Sequence, residues 1–168
     1  MATAPWLWLP NGDSCCACAA GGLPCTDICS SGATPTSVLI TIANLQDLDC
    51  NCAPLNTSYV ATQICTDFGG DPDPCCWLYI PDDGNCGLYF IRLNLSVVGA
   101  DWNAVVIMSI RGVTGLTAGI DWKETRSASE LPINCASHFT ARSLPYLSDS
   151  GGTACQNIAS ATCTVTAL

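Results

Sequence analysis

The chain has 168 residues, the size of one domain and enough to enclose a real core. Only 11% of the residues are charged and 14 acidic against 5 basic side chains leave a net charge of −9, which excludes a basic surface for nucleic acid. The 49% apolar fraction is spread in short runs, none near the roughly 20 residues of a membrane-spanning helix.

Cysteine is the outlier, with 14 residues or about 8% of the chain, at the lower edge of the disulfide-scaffold range. Gly, Pro, Thr and Ser are plentiful and Lys, Glu and Gln scarce, which disfavours long helices. The expected domain is therefore β-rich, with core and staples together.

Residues 1–35 show no periodicity and hold Pro5, Pro10, Pro24, Pro35, Gly21-Gly22 and the cysteines Cys15, Cys16, Cys18, Cys25 and Cys29, which predicts an irregular, cross-linked N-terminal arm. Its first ten residues lack a basic stretch and are broken by Pro5 and Pro10, so they do not read as a signal peptide. From Thr36 to Ala43 the sequence is β-branched and bounded by Pro35 and Asn44, a strand with Val38, Ile40 and Ile42 on one side. Further strands are predicted at Ser58–Cys65, Cys75–Ile80, Leu88–Val98, Ala104–Arg111, Ser137–Arg142 and Ala161–Ala167. In Leu88–Val98, Tyr89, Ile91, Leu93, Leu95 and Val97 alternate with Arg92, Asn94 and Ser96, the mark of a half-buried strand. Val105-Val106-Ile107-Met108 is apolar on both faces and reads as central, whereas Asp121-Trp122-Lys123-Glu124-Thr125-Arg126 reads as a solvated loop. About seven short strands with turn signals between them predict an all-β, antiparallel sandwich of jelly-roll or immunoglobulin-like type over residues 36–168.

Fourteen cysteines are an even number, so Cys15, Cys16, Cys18, Cys25, Cys29, Cys50, Cys52, Cys65, Cys75, Cys76, Cys86, Cys135, Cys155 and Cys163 are all disulfide candidates. The adjacent pair Cys75-Cys76 is expected to send its members to different partners, and the last strand to be stapled through Cys163. A zinc site in the N-terminal cluster is disfavoured, because its C-C-x-C-x6-C-x3-C spacing is not that of the familiar zinc knuckles. No nucleophilic elbow, zinc-binding helix motif or phosphate loop is present, and Cys135 with His138 reads as a staple beside a surface imidazole, so no catalytic residue is assigned. The acidic loops supply only weak calcium candidates in Asp71, Asp73, Asp82 and Asp83, and no cofactor is expected. Trp6, Leu7, Trp8 and Leu9, held extended between two prolines, form an apolar tip suited to binding a neighbouring subunit. Trp77, Trp102 and Trp122 are assigned to the core, with an exposed pair of them stacking on a sugar as the alternative.

The cysteine-rich opening, Pro35-Thr36-Ser37-Val38-Leu39-Ile40-Thr41-Ile42, Cys50-Asn51-Cys52, Leu55-Asn56-Thr57-Ser58-Tyr59-Val60, Cys76-Trp77 and Ala161-Thr162-Cys163-Thr164-Val165-Thr166 together resemble small cysteine-rich β-sandwich modules of tailed-phage virion proteins and planctomycete surface proteins. The resemblance implies a non-enzymatic structural or adhesive part. A protein made in a reducing cell that later leaves it accounts for many cysteines without an export signal, so the expected role is a virion component at the particle surface. That means a capsid decoration or cement protein, or a tail or fibre component, partnered by other virion subunits and forming a homo-oligomer such as a trimer. The alternative is a secreted or cell-surface carbohydrate-binding or adhesive module.

Overall fold

A computed structural model describes residues 25, 27–45, 55–66, 72–81, 88–111, 117–150 and 161–168. They form nine strands: β1 (Ser37–Ala43), β2 (Ser58–Thr66), β3 (Pro72–Tyr79), β4 (Leu88–Val98), β5 (Asp101–Arg111), β6 (Thr117–Ser127), β7 (Arg142–Leu144), β8 (Tyr146–Ser150) and β9 (Thr162–Ala167). A four-residue helix, α1 (Cys135–His138), lies between β6 and β7.

All neighbouring strands in the sheet are antiparallel, in the order β7-β9-β1-β2-β3-β4-β5-β6-β8. The two edge strands are consecutive in the chain and separated by Pro145 alone. One extended segment thus pairs with β9 through its first half and with β6 through its second, and the sheet curls into a nearly closed barrel. The main-chain N–H of Lys123 donates to the Pro145 carbonyl at 2.8 Å where the segment passes from one edge to the other. The all-β, antiparallel expectation stands, but the strands make one nearly closed sheet of nine where two facing sheets of about seven were expected.

The inner wall follows from the period of 2. Val38, Ile40 and Ile42 of β1, Trp77 of β3, Ile91 and Leu93 of β4, Trp102, Ala104, Val106, Met108 and Ile110 of β5, Ile120 and Trp122 of β6 and Val165 of β9 are all buried in one core. Burial of Trp77 and Trp122 leaves no polar orphan on either indole: Trp77 Nε1–H donates to the Pro35 carbonyl at 2.8 Å and Trp122 Nε1–H to the Ala161 carbonyl at 3.2 Å. The β4–β5 hairpin turns through Gly99-Ala100, with Val98 opposite Asp101 and Gly99 at φ 63°, the sign that the first position of a type II′ turn requires.

Three expectations are corrected. The segment Asp121–Arg126 is not a solvated loop but the second half of β6, with Trp122 and Glu124 turned inward and Asp121 and Lys123 outward. Its charge density hides an alternation that starts at Ile120. Ser137–Arg142 is not a strand: the Asn134 side chain accepts from the Ser137 N–H at 2.9 Å and starts the short helix instead, with β7 beginning only at Arg142. Cys163 does not staple the last strand: it is a free thiol facing the core, with Ile42 and Leu144 as its cross-strand neighbours.

Candidate functional site

One end of the barrel is closed by two segments that belong to no ladder. The first, Cys25 with residues 27–35, leads into β1 and buries Cys25, Ile28 and Cys29. The second, residues 128–141, contains a 3-10 turn at Ala128–Glu130 and helix α1. The two run side by side at Cys29 and Ile133, where Ser30 N–H donates to the Ile133 carbonyl at 2.7 Å and Ile133 N–H to the Ile28 carbonyl at 2.8 Å. Cys29–Cys135 joins them covalently, and Cys25–Cys75 ties the first segment to β3. These bridges close loops with sequence separations of 50 and 106. In the chain-entropy limit each such bridge contributes roughly 4–5 kcal/mol.

Beneath this cap sits the main charged cluster among the described residues. Glu124 projects inward from β6, two positions after Trp122, and its carboxylate accepts from Arg142 Nε–H at 3.0 Å and from the second guanidinium nitrogen of Arg142. His138, three residues after Cys135 on α1, lies 3.1 Å from Glu124 through Nε2. Arg126 stands 3.6 Å from the same carboxylate and 3.6 Å from Glu130. The Glu124 and His138 side chains are only 8% and 11% exposed, whereas both arginines are 39% exposed and reach water. Burial by itself raises the Glu124 carboxyl, but hydrogen bonds and charge from Arg142 and His138 outweigh it, and the group titrates below the usual glutamate range. The His138 ring meets Trp102 edge-on at 5.2 Å and Phe139 at 5.0 Å, so it is a packed part of the cap, not the surface imidazole expected from the sequence.

This arrangement is a clasp. The Glu124 carboxylate takes three hydrogen bonds, two from Arg142 and one from His138, with Arg126 beside it. Among the described residues no three His, Cys, Asp or Glu side chains come together to hold a metal ion. The Cys163 thiol is pushed up to about 12 by burial, far from a thiolate nucleophile at neutral pH.

Of the expected disulfide residues, Cys25, Cys29, Cys75 and Cys135 are bridged. Cys76 is buried on the opposite side of β3 from Cys75 and shares no bridge with it. Cys15, Cys16, Cys18, Cys50, Cys52, Cys86 and Cys155, with the side chain of Cys65, lie outside the described residues. So do Trp6, Leu7, Trp8 and Leu9 of the apolar tip, and Asp71, Asp82 and Asp83 of the calcium candidates; Asp73 falls in β3 with its side chain not described. Trp77, Trp102 and Trp122 are fully buried, so none of the three presents a ring face for stacking on a sugar.

Comparison with known protein families, with characterised proteins and with solved structures finds no match. The site is accordingly read from its own geometry.

The outer wall holds the other feature. Leu39 is paired with Val60, and Thr62 with Leu78, so continuing the β2–β3 register by two residues sets Val60 opposite Ile80, and continuing β3–β4 by one sets Ile80 opposite Phe90. Leu39, Val60, Ile80 and Phe90 thus form an outward apolar row across four strands, with Val60 48% and Ile80 43% exposed. Beside it runs a mixed row, Leu78, Arg92, Ile107 and Asp121. There burial raises the Asp121 carboxyl and the Arg92 guanidinium draws it partly back.

Sequence reasoning missed both Glu124 with its partners and the apolar row. The first had a signal: Ile120, Trp122 and Glu124 alternate, and an inward carboxylate demands a cation, of which the chain has few. The second depends on strand register, which one sequence does not display.

Proposed function

We propose that the chain is a non-enzymatic assembly domain, a structural component of a virion at the surface of the particle. Its role is that of a capsid decoration or cement protein, or a tail or fibre part. The observation that carries the reading is the outward row Leu39, Val60, Ile80 and Phe90, in which Val60 and Ile80 are exposed between the half-buried Leu39 and Phe90, because an outward apolar row on a domain with a full core suits a contact between subunits. The reactive groups described above are all spent on structure: four cysteines in bridges, Glu124 in its clasp, Cys163 protonated in the core. A domain that must persist outside a cell gains from such staples. In this reading the Trp6–Leu9 tip supplies a second contact to neighbouring subunits, and the chain forms a symmetric homo-oligomer such as a trimer. For the carbohydrate-binding alternative, Trp77, Trp102 and Trp122 lie in the core and offer no stacking face.

Sedimentation of the full, oxidised chain and of its Val60→Glu, Ile80→Glu double variant tests the proposal. Both positions are exposed, so the variant should keep its thermal unfolding temperature. The expected result is a multimer for the unaltered chain and a monomer for the variant. A chain that stays monomeric at all concentrations and binds no particle would overturn the reading, as would a variant that still assembles.

A further inference from the structure

The cap is not held to the barrel by one kind of bond. From β3 a continuous belt crosses the barrel end: Cys75 to Cys25 by a disulfide, along residues 25–29, Cys29 to Cys135 by a second disulfide, through one turn of α1 to His138, and from His138 to Glu124 on β6. Two of its three links are covalent and depend on oxidation. The third is a hydrogen-bonded clasp. Helix α1 is the node, since its four residues present Cys135 to one segment and His138 to the other wall. None of the ladder bonds of β4 and β5 passes through this belt.

We propose that the belt makes the cap a redox-conditional lid: the barrel is held by its ladder in either state, and oxidation alone locks residues 25–35 and 128–141 over its end. Closure converts each thiol pair to a disulfide with loss of two protons and two electrons, taken up by an exchanging disulfide compound that leaves as two thiols. Opening is the reverse, with a dithiol reductant leaving as its own disulfide. In the reduced state the segment 25–35 is left with few ties. Among the described residues these are the pairings at Ser30 and Ile133, including the Ser30 hydroxyl bond to the Ile133 carbonyl, the Ala136 N–H bond to the Ala33 carbonyl, the Trp77 bond to Pro35, and the burial of Ile28 with the Cys25 and Cys29 side chains. That set is small against the entropy of fixing about ten residues at roughly 1–2 kcal/mol each. Release would uncover Ile28 and Phe139, so the end of the barrel becomes a sticky apolar surface until oxidation seals it. The inference stands on the fold and does not depend on the particle reading.

Hydrogen exchange followed residue by residue on the full chain tests it, before and after treatment with a dithiol, with intact mass counting the bridges. The amides of Cys29, Ser30, Ile133 and Ala136, each a hydrogen-bond donor within the cap, should exchange at least roughly a hundredfold faster after reduction, while β4 and β5 ladder amides keep their protection. A Cys29→Ser, Cys135→Ser double variant, kept oxidised elsewhere, should reproduce the change at Ser30, Ile133 and Ala136, and it remains informative if the fully reduced chain precipitates. Undiminished cap protection in the double variant would overturn the proposal. So would loss of cap and ladder protection together, because the lid would then not be separable from the barrel.

Discussion

Replacing Glu124 by Gln keeps the size of the side chain and removes only its charge. The native carboxylate holds two charge-assisted hydrogen-bond partners, Arg142 and His138. Such bonds contribute about 1.5–3 kcal/mol each, but the Arg142 guanidinium is 39% exposed and recovers water when released, which discounts its share. The Gln amide can still accept one of the lost bonds. A destabilisation of about 2–4 kcal/mol at pH 7 follows, equivalent to a fall of roughly 5–15 °C in Tm for a domain of this size. Because the native carboxyl titrates below its unfolded value, its contribution is complete above the unfolded pKa and disappears as pH falls through the native one. The gap between the unaltered chain and Glu124→Gln should therefore be full at pH 7, shrink once pH falls below the unfolded glutamate value of about 4.3, and vanish only below the depressed native value, where both carry a neutral group. Urea unfolding of the two oxidised proteins at pH 7 and at pH 3 measures this. A gap of equal size at both pH values would show that the loss is one of packing and not of charge, and an absent gap at pH 7 would show that the clasp contributes nothing.

The three core tryptophans should not be equivalent. Trp77 and Trp122 each donate to a carbonyl, whereas Trp102 Nε1, equally buried, finds no acceptor among the described residues. Trp77→Phe and Trp122→Phe strand a carbonyl and should each cost about 1–2 kcal/mol more than Trp102→Phe, as read by denaturant midpoints; a Trp102 variant that proves the worst of the three would refute the ordering. The Cys163 thiol, raised by burial to about 12, should resist alkylation in the native protein at pH 8 and react only on unfolding, as followed by peptide mapping. Rapid native labelling would mean that β9 opens far more often than its place between β1 and β7 suggests.

Strands β1, β2, β4, β5 and β9 are legible in the sequence because each sets β-branched or aliphatic residues at alternate positions between turn residues. Strand β6 is not, although its inner row of Ile120, Trp122 and Glu124 is as regular, because Asp121, Lys123 and Glu124 fall consecutively enough to resemble a solvated face. Strands β7 and β8 are short, and what makes them strands is pairing with β9 and β6, partners fixed only when the sheet curls. Helix α1 has a visible cap in Asn134, yet one turn of helix between a cysteine and a histidine carries no periodicity to detect. The site shares that fate. His138 and Arg142 meet Glu124 only because α1 and β7 fold back along β6, with sequence separations of 14 and 18.

The position of the clasp explains why a costly inward charge is kept. The β6–β8 ladder ends at Trp122 opposite Tyr146, and the segment then crosses at Pro145 to pair with β9 as β7. Beyond the Lys123 N–H bond to Pro145, the ladder from β6 to the closing segment has stopped, so a seam remains along Glu124 and Arg126 with no ladder pair among the described residues. Open main-chain edges of this kind invite pairing with another chain, and inward or edge charges are a common device against it. Glu124 reaches across the seam to Arg142, the first residue of β7, and His138 holds the carboxylate from the cap side. A hydrophobic residue there would pack the seam but leave the edge free to recruit another strand. The ion cluster closes the barrel and guards the edge at once, and the outward side chains of Leu39, Val60 and Phe90 lie on strands already paired on both sides.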